Sequence, residues 1–125
     1  MINIIKIENL LPFSVHDGSV CDVKWESDKL YFSIKKYEDD PLHKKCISLC
    51  FFGVEWIRSV CDENHDGYVQ GTDFSEYPLI DRNKLNENYK EFVSYGLLDD
   101  VFMLDENVVC VNDIFFFYAT DVQLL

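Results

Sequence analysis

From Glu91 to its last residue the chain has no lysine and no arginine, although Glu91, Asp99, Asp100, Asp105, Glu106, Asp113 and Asp121 all fall in that stretch. Residues 59–125 hold 14 acids and 3 bases, whereas residues 1–58 are nearly balanced, with 9 acids and 8 bases. At a net charge of −12, so few bases argue against a nucleic-acid partner, because a phosphate backbone is met with clustered Lys and Arg. Other absences narrow the field further. No apolar run approaches the roughly 18 residues of a membrane helix, so no membrane partner is expected. The opening segment MINIIKIENLL contains Lys6 and Glu8. It lacks a basic start, an apolar core and a small-residue cleavage site, so no export signal is expected. The cysteines Cys21, Cys46, Cys50, Cys61 and Cys110 are odd in number and form no CxxC. Only Cys46 and Cys50 lie close together, and a four-cysteine zinc site needs two such pairs. The expectation is reduced, mostly buried thiols in a cytoplasmic protein. GxSxG, HExxH, P-loop and GxGxxG motifs are all missing, which removes the common hydrolase and nucleotide-binding signatures.

What is present is enough for a core. With 125 residues, 48% hydrophobic and 15% aromatic, the chain suits one domain spanning 1–125. Its Phe and Tyr content favours strands. Val20 to Trp25 and Leu30 to Lys35 alternate apolar and polar residues around the polar turn Glu26-Ser27-Asp28-Lys29. That pattern predicts a β-hairpin burying Cys21, Val23 and Trp25 with Leu30, Phe32 and Ile34. Glu38 to Pro41 reads as a loop. Cys46 to Val60 predicts one long strand bent or bulged at Gly53, with a helix as the competing reading.

Asp62 to Pro78 is polar and turn-rich. Asp81 to Val93 places Leu85, Tyr89, Phe92 and Val93 at helical spacing, with Asp81 as N-cap and Gly96 as stop. Phe102 to Leu104, Val108 to Val111 and Ile114 to Tyr118 predict short strands, joined by turns at Asp105-Glu106-Asn107 and Asn112-Asp113. Phe115-Phe116-Phe117 is expected to straddle a strand with one face in the core. The predicted class is α+β: mainly antiparallel sheet, curled or sandwiched, with about one helix packed on it.

Two stretches suggest chemistry. Asp62 to Asp73 resembles the calcium loop of the EF-hand family along all twelve positions. Asp62, Asn64 and Asp66 offer side-chain oxygens at positions 1, 3 and 5. Gly67 supplies the sharp turn, Tyr68 a backbone carbonyl, and Asp73 closes the loop. Asp73 stands where the family has Glu, only one such loop occurs, and Pro78 interrupts the exiting helix. The same Asp, Asn and Gly residues also suit a plain turn between strands. The second stretch is His16-Asp17, which could pair a base with an orienting carboxylate in a small hydrolase, and also reads as a turn entering the hairpin. His43 sits in a polar stretch and His65 inside the acidic loop. No cysteine has a setting that would activate it.

The run Leu11-Pro12-Phe13-Ser14-Val15-His16-Asp17-Gly18-Ser19-Val20 leads straight into the hairpin. It resembles the opening of small bacterial immunity proteins of polymorphic and contact-dependent growth inhibition toxin systems, in which an His-Asp step precedes a strand–turn–strand unit. Ile47 to Ile57, with Gly53-Val54 in the middle, is similar to the next strand of that pattern. The resemblance covers roughly the first half of the chain, and Asp62 to Asp73 lies outside it. It implies a cytoplasmic protein without catalytic residues or cofactor that binds and neutralises a cognate toxin. Many such toxins are nucleases with basic surfaces. Large single-sign charge suits such a partner, since it costs self-repulsion and serves steering. The expected contact residues are Asp99, Asp100, Asp105 and Glu106, with Tyr95 as an apolar anchor.

Overall fold

The computed structural model describes residues 18–35, 47–59, 61–62, 65–66, 74–93, 97–98, 101–105, 107–111 and 114–125. Strands β1 (Gly18–Glu26) and β2 (Lys29–Lys35) form the expected hairpin. Its turn places Ser27 at φ 54, a left-handed conformation found in tight connections. Val20, Val23 and Trp25 on β1, with Leu30, Phe32 and Ile34 on β2, are buried. Cys21 departs from the expected alternation. The register shifts between Val20 and Asp22, and this bulge leaves Cys21 half-buried while Val20 takes the inward place.

The predicted long strand after residue 46 is two strands in two different sheets. β3 (Ile47–Phe52) pairs with β2, while β4 (Ile57–Ser59) pairs with a strand near the C-terminus. Gly53, at φ 76, makes the corner between them. Thr120 closes it from outside, its backbone N donating to Phe52 O at 2.8 Å and its hydroxyl to the same oxygen at 3.3 Å. From the corner the chain folds back over the hairpin: Val54 N donates to Asp28 O at 2.8 Å, and Trp25 Nε1 donates to Val54 O at 3.1 Å. The helical alternative for this stretch is excluded.

Two short strands, β5 (Cys61–Asp62) and β6 (His65–Asp66), form a small ribbon. Helix α1 (Arg82–Glu87) begins at Asp81, whose carboxylate accepts from Lys84 N at 3.1 Å. It is shorter than expected. Asn88 adopts an extended φ of −154, and a 3-10 turn follows at Tyr89–Glu91. Leu85 and Val93 are buried, with Tyr89 and Phe92 packed at the margin of the core. Gly96, expected as the stop, and the loop Glu38 to Pro41 lie outside the described residues. Strands β7 (Leu97–Leu98), β8 (Val101–Asp105), β9 (Val108–Val111), β10 (Phe115–Tyr118) and β11 (Asp121–Leu124) complete the order.

The molecule is α+β with mainly antiparallel strands. Sheet A has the order β11-β3-β2-β1-β7 and sheet B the order β4-β10-β9-β8. The core joins them. Phe115 and Phe117 of sheet B meet Phe32 of sheet A with ring centroids 5.7 and 6.5 Å apart, and Phe117 meets Phe51 at 4.8 Å. Such aromatic pairs add to the area they bury.

Phe115-Phe116-Phe117 straddles its strand as expected, with Phe115 and Phe117 facing the core between the sheets, and all three rings are fully buried. Phe116 points to the other face of sheet B, where Tyr77 covers it at 5.2 Å. All four residues of β9 are buried as well. Strands buried on both faces read as continuous apolar runs, which is how Val108-Val109-Cys110-Val111 and Phe115-Phe116-Phe117 read.

Candidate partner-binding surface

Among the described residues, several cations are engaged in packing or pairing. Arg58 Nη1 donates to Tyr77 O at 2.7 Å and to Ser75 O at 3.1 Å, fastening the segment that covers Phe116. The Arg82 guanidinium lies over Trp25, 4.3 Å from the ring centroid, a cation–π geometry that secures α1 to β1. Lys29 lies 5.8 Å from the Phe52 ring centroid. Lys24 and Glu26 form an exposed pair at 3.0 Å, and the hydrogen bond to Glu26 raises the Lys24 pKa. By contrast Asp28, Glu55, Glu76, Asp81, Glu87 and Glu91 are exposed. Among the described residues, then, several bases are committed to packing while these acids face solvent.

Edges matter because an unpaired strand offers its backbone N–H and C=O groups to another chain. Beyond β7, β1 would be such an edge, and side chains close it. The Asn86 amide donates to Trp25 O at 2.8 Å and accepts from Trp25 N at 2.7 Å, so one side chain stands in for a neighbouring strand. Tyr89 donates its hydroxyl to Cys21 O at 2.6 Å, and Asp22 accepts from Val23 N at 3.0 Å. β4 is closed by the segment around Leu79: Ser59 N donates to Pro78 O at 2.9 Å and Ile80 N to Ile57 O at 2.8 Å. At β11 the Asp121 carboxylate accepts from Val122 N at 2.8 Å. β8 ends sheet B and pairs with β9 on one side. Neither the closures by Asn86 and Tyr89 nor the edge position of β8 carries a signal in the sequence.

Of the expected contact residues, Asp105 is the last residue of β8. Asp99, Asp100, Glu106 and Tyr95 lie outside the described residues. In sequence, Asp99-Asp100 directly precede β8 and Glu106 directly follows it.

The candidate calcium loop is only partly described. Asp62 pairs with His65, and Cys61 with Asp66, in the β5–β6 ribbon. The first and fifth positions of the loop thus occupy different rungs of a hairpin ladder. Asn64, Tyr68 and Asp73 lie outside the described residues, as do His16 and Asp17 of the hydrolase reading. Among the described residues no group of three or more His, Cys, Asp or Glu is placed to hold a metal ion. Cys50 and Cys110 are buried and Cys21 is half-buried. Burial pushes the Cys50 thiol up, which keeps it protonated and a poor nucleophile. Cys110 is fully buried. No helix among the described residues is long and apolar enough to cross a membrane. No family model, no curated protein and no solved structure matches the chain.

Proposed function

We propose that this chain is an immunity-type inhibitor: it captures a basic toxin domain, of the nuclease class, and occludes the surface that would meet substrate. Its place of action would be the cytoplasm, and it needs no cofactor or catalytic residue. The observation that carries the reading is the coincidence of charge with position. Of the four expected contact acids, Asp99 and Asp100 precede β8 in sequence, Asp105 is its last residue and Glu106 follows it, and β8 is an outermost strand of sheet B. A cationic cleft built for phosphates is complementary to such carboxylates, and opposite fields speed encounter and set orientation.

The test is capture of the partner by tagged protein co-expressed with its neighbouring gene. A basic protein should be held at one-to-one stoichiometry in the presence of a chelator. Asp99→Lys combined with Asp100→Lys should weaken capture at low salt by about tenfold or more, since breaking a charged contact costs on the order of 2–5 kcal/mol. Affinity unchanged by that reversal would sink the electrostatic reading.

A further inference from the structure

From Cys21 to Trp25 the edge of β1 that faces away from β2 is held by side chains, while β7 meets β1 at Gly18 and Ser19. Glu26 faces Lys29 across the hairpin turn, and backbone groups in an antiparallel ladder alternate between its two sides. Glu26, Lys24 and Asp22 therefore direct their N–H and C=O groups toward β2. Trp25, Val23 and Cys21 direct theirs outward. The observed bonds agree: Asn86 meets both Trp25 groups, Tyr89 donates to Cys21 O, and the Asp22 carboxylate accepts from Val23 N. Asn86 lies on α1 and Tyr89 on the 3-10 turn that follows, a unit that the buried Leu85 roots in the core.

The same edge fits an antiparallel copy of itself. Centred on Val23, such a pair sets Val23 against Val23 and Cys21 against Trp25 at both ends, so every outward residue meets an outward residue. The positions between them set Asp22 against Lys24, again at both ends. Both side chains are exposed. These are the pairs without backbone bonds, in which side chains lie closest, and opposite charges there stabilise a ladder. A parallel copy in register would instead set Asp22 beside Asp22 and Lys24 beside Lys24, which like charges disfavour. We infer that β1 is a self-complementary edge for a second copy of this chain, and that α1 with its 3-10 turn is the guard that keeps it shut. Covering an edge with a helix is one way in which sheets avoid unwanted pairing. The net charge of −12 opposes two copies at long range and is screened by salt. Pairing through β1 therefore requires the guard to be displaced and the repulsion to be screened.

The test is sedimentation of the full chain in about 0.15 M sodium chloride, where the Debye length is roughly 8 Å. Asn86→Ala combined with Tyr89→Phe removes the bonds that the guard makes to Trp25 and Cys21. It should lower the dimer dissociation constant about tenfold or more against the unchanged chain, and the amides of Val23 and Trp25 should gain protection from hydrogen exchange on association. Adding Lys24→Asp should abolish the gain. Adding Asp22→Lys as well restores opposite pairs in reversed order and should return it. A folded Asn86→Ala/Tyr89→Phe variant that associates no more than the unchanged chain would overturn the inference. So would association indifferent to Lys24→Asp, or protection gained on other strands instead. If that variant does not fold, Tyr89→Phe alone, which loses one hydroxyl, decides the question: it should associate measurably more tightly than the unchanged chain, and equal association would overturn the inference.

Discussion

A Cβ placed on Gly53 would lie 2.7 Å from Thr120 Oγ1, closer than real side chains approach, and 3.0 Å from Thr120 Cγ2. The same residue sits at φ 76, where an L side chain is strained even in open space. Gly53→Ala therefore meets two separate penalties, one from its own backbone and one from Thr120. Unfolding in urea should show a loss of about 1–3 kcal/mol. Adding Thr120→Ala removes the Oγ1 and Cγ2 contacts and leaves the backbone strain and the Thr120 Cβ at 3.3 Å, so the double variant should recover part of the loss, a coupling measurable by a double-mutant cycle. A neutral Gly53→Ala would mean that the corner does not depend on a left-handed residue. This corner was only half legible in the sequence. Alternation continues across Gly53, so the pattern predicts one bent strand. What turns a bend into a change of sheet is Thr120, a partner far away in the chain that no local pattern announces.

Elements were legible where local pattern and burial agree. The β1–β2 hairpin has one buried face, so its alternation gave the pairing directly. Asp81 marks the start of α1, but the sequence pattern runs past its end. The apolar stripe continues to Val93 across a 3-10 turn, and Asn88 breaks the helix without breaking the stripe. β11 carries no periodic signal, because Asp121-Val122-Gln123-Leu124 has one buried apolar residue, Val122. The sequence of β10 shows the strand and its core face but not that its second face is covered as well. Tyr77, anchored through its carbonyl by Arg58, covers Phe116, and a covering segment cannot be read from the strand it covers. The consequence is testable. Phe116→Ala and Phe117→Ala should each cost about 3–5 kcal/mol in equilibrium unfolding. If β10 had one wet face, Phe116→Ala would fall within roughly 0.5 kcal/mol of neutral.

For the whole molecule, a net charge of −12 with 14 acids against 3 bases beyond residue 58 makes two demands of opposite sign on salt. Within the folded chain the acids repel one another, and compaction brings them closer than in the unfolded state. Raising sodium chloride from about 0.01 M to about 0.15 M shortens the Debye length from roughly 30 Å to roughly 8 Å, so the repulsion should fade and the protein should melt higher. Each kcal/mol gained corresponds to a Tm rise on the order of 4 °C. Lys24–Glu26 works against this trend, but an exposed pair contributes little. Capture of a cationic partner uses the same charges in the attractive sense, so the same increase in salt should weaken binding, chiefly through a slower on-rate. Thermal melts and association kinetics over one salt series therefore discriminate cleanly. A Tm that rises while the on-rate falls is the signature of acids held against folding and used for encounter. A Tm that falls with salt would mean that the carboxylates are engaged with bases inside the fold. The surplus charge would then be structural, and the case for a steered basic partner would lose its physical basis.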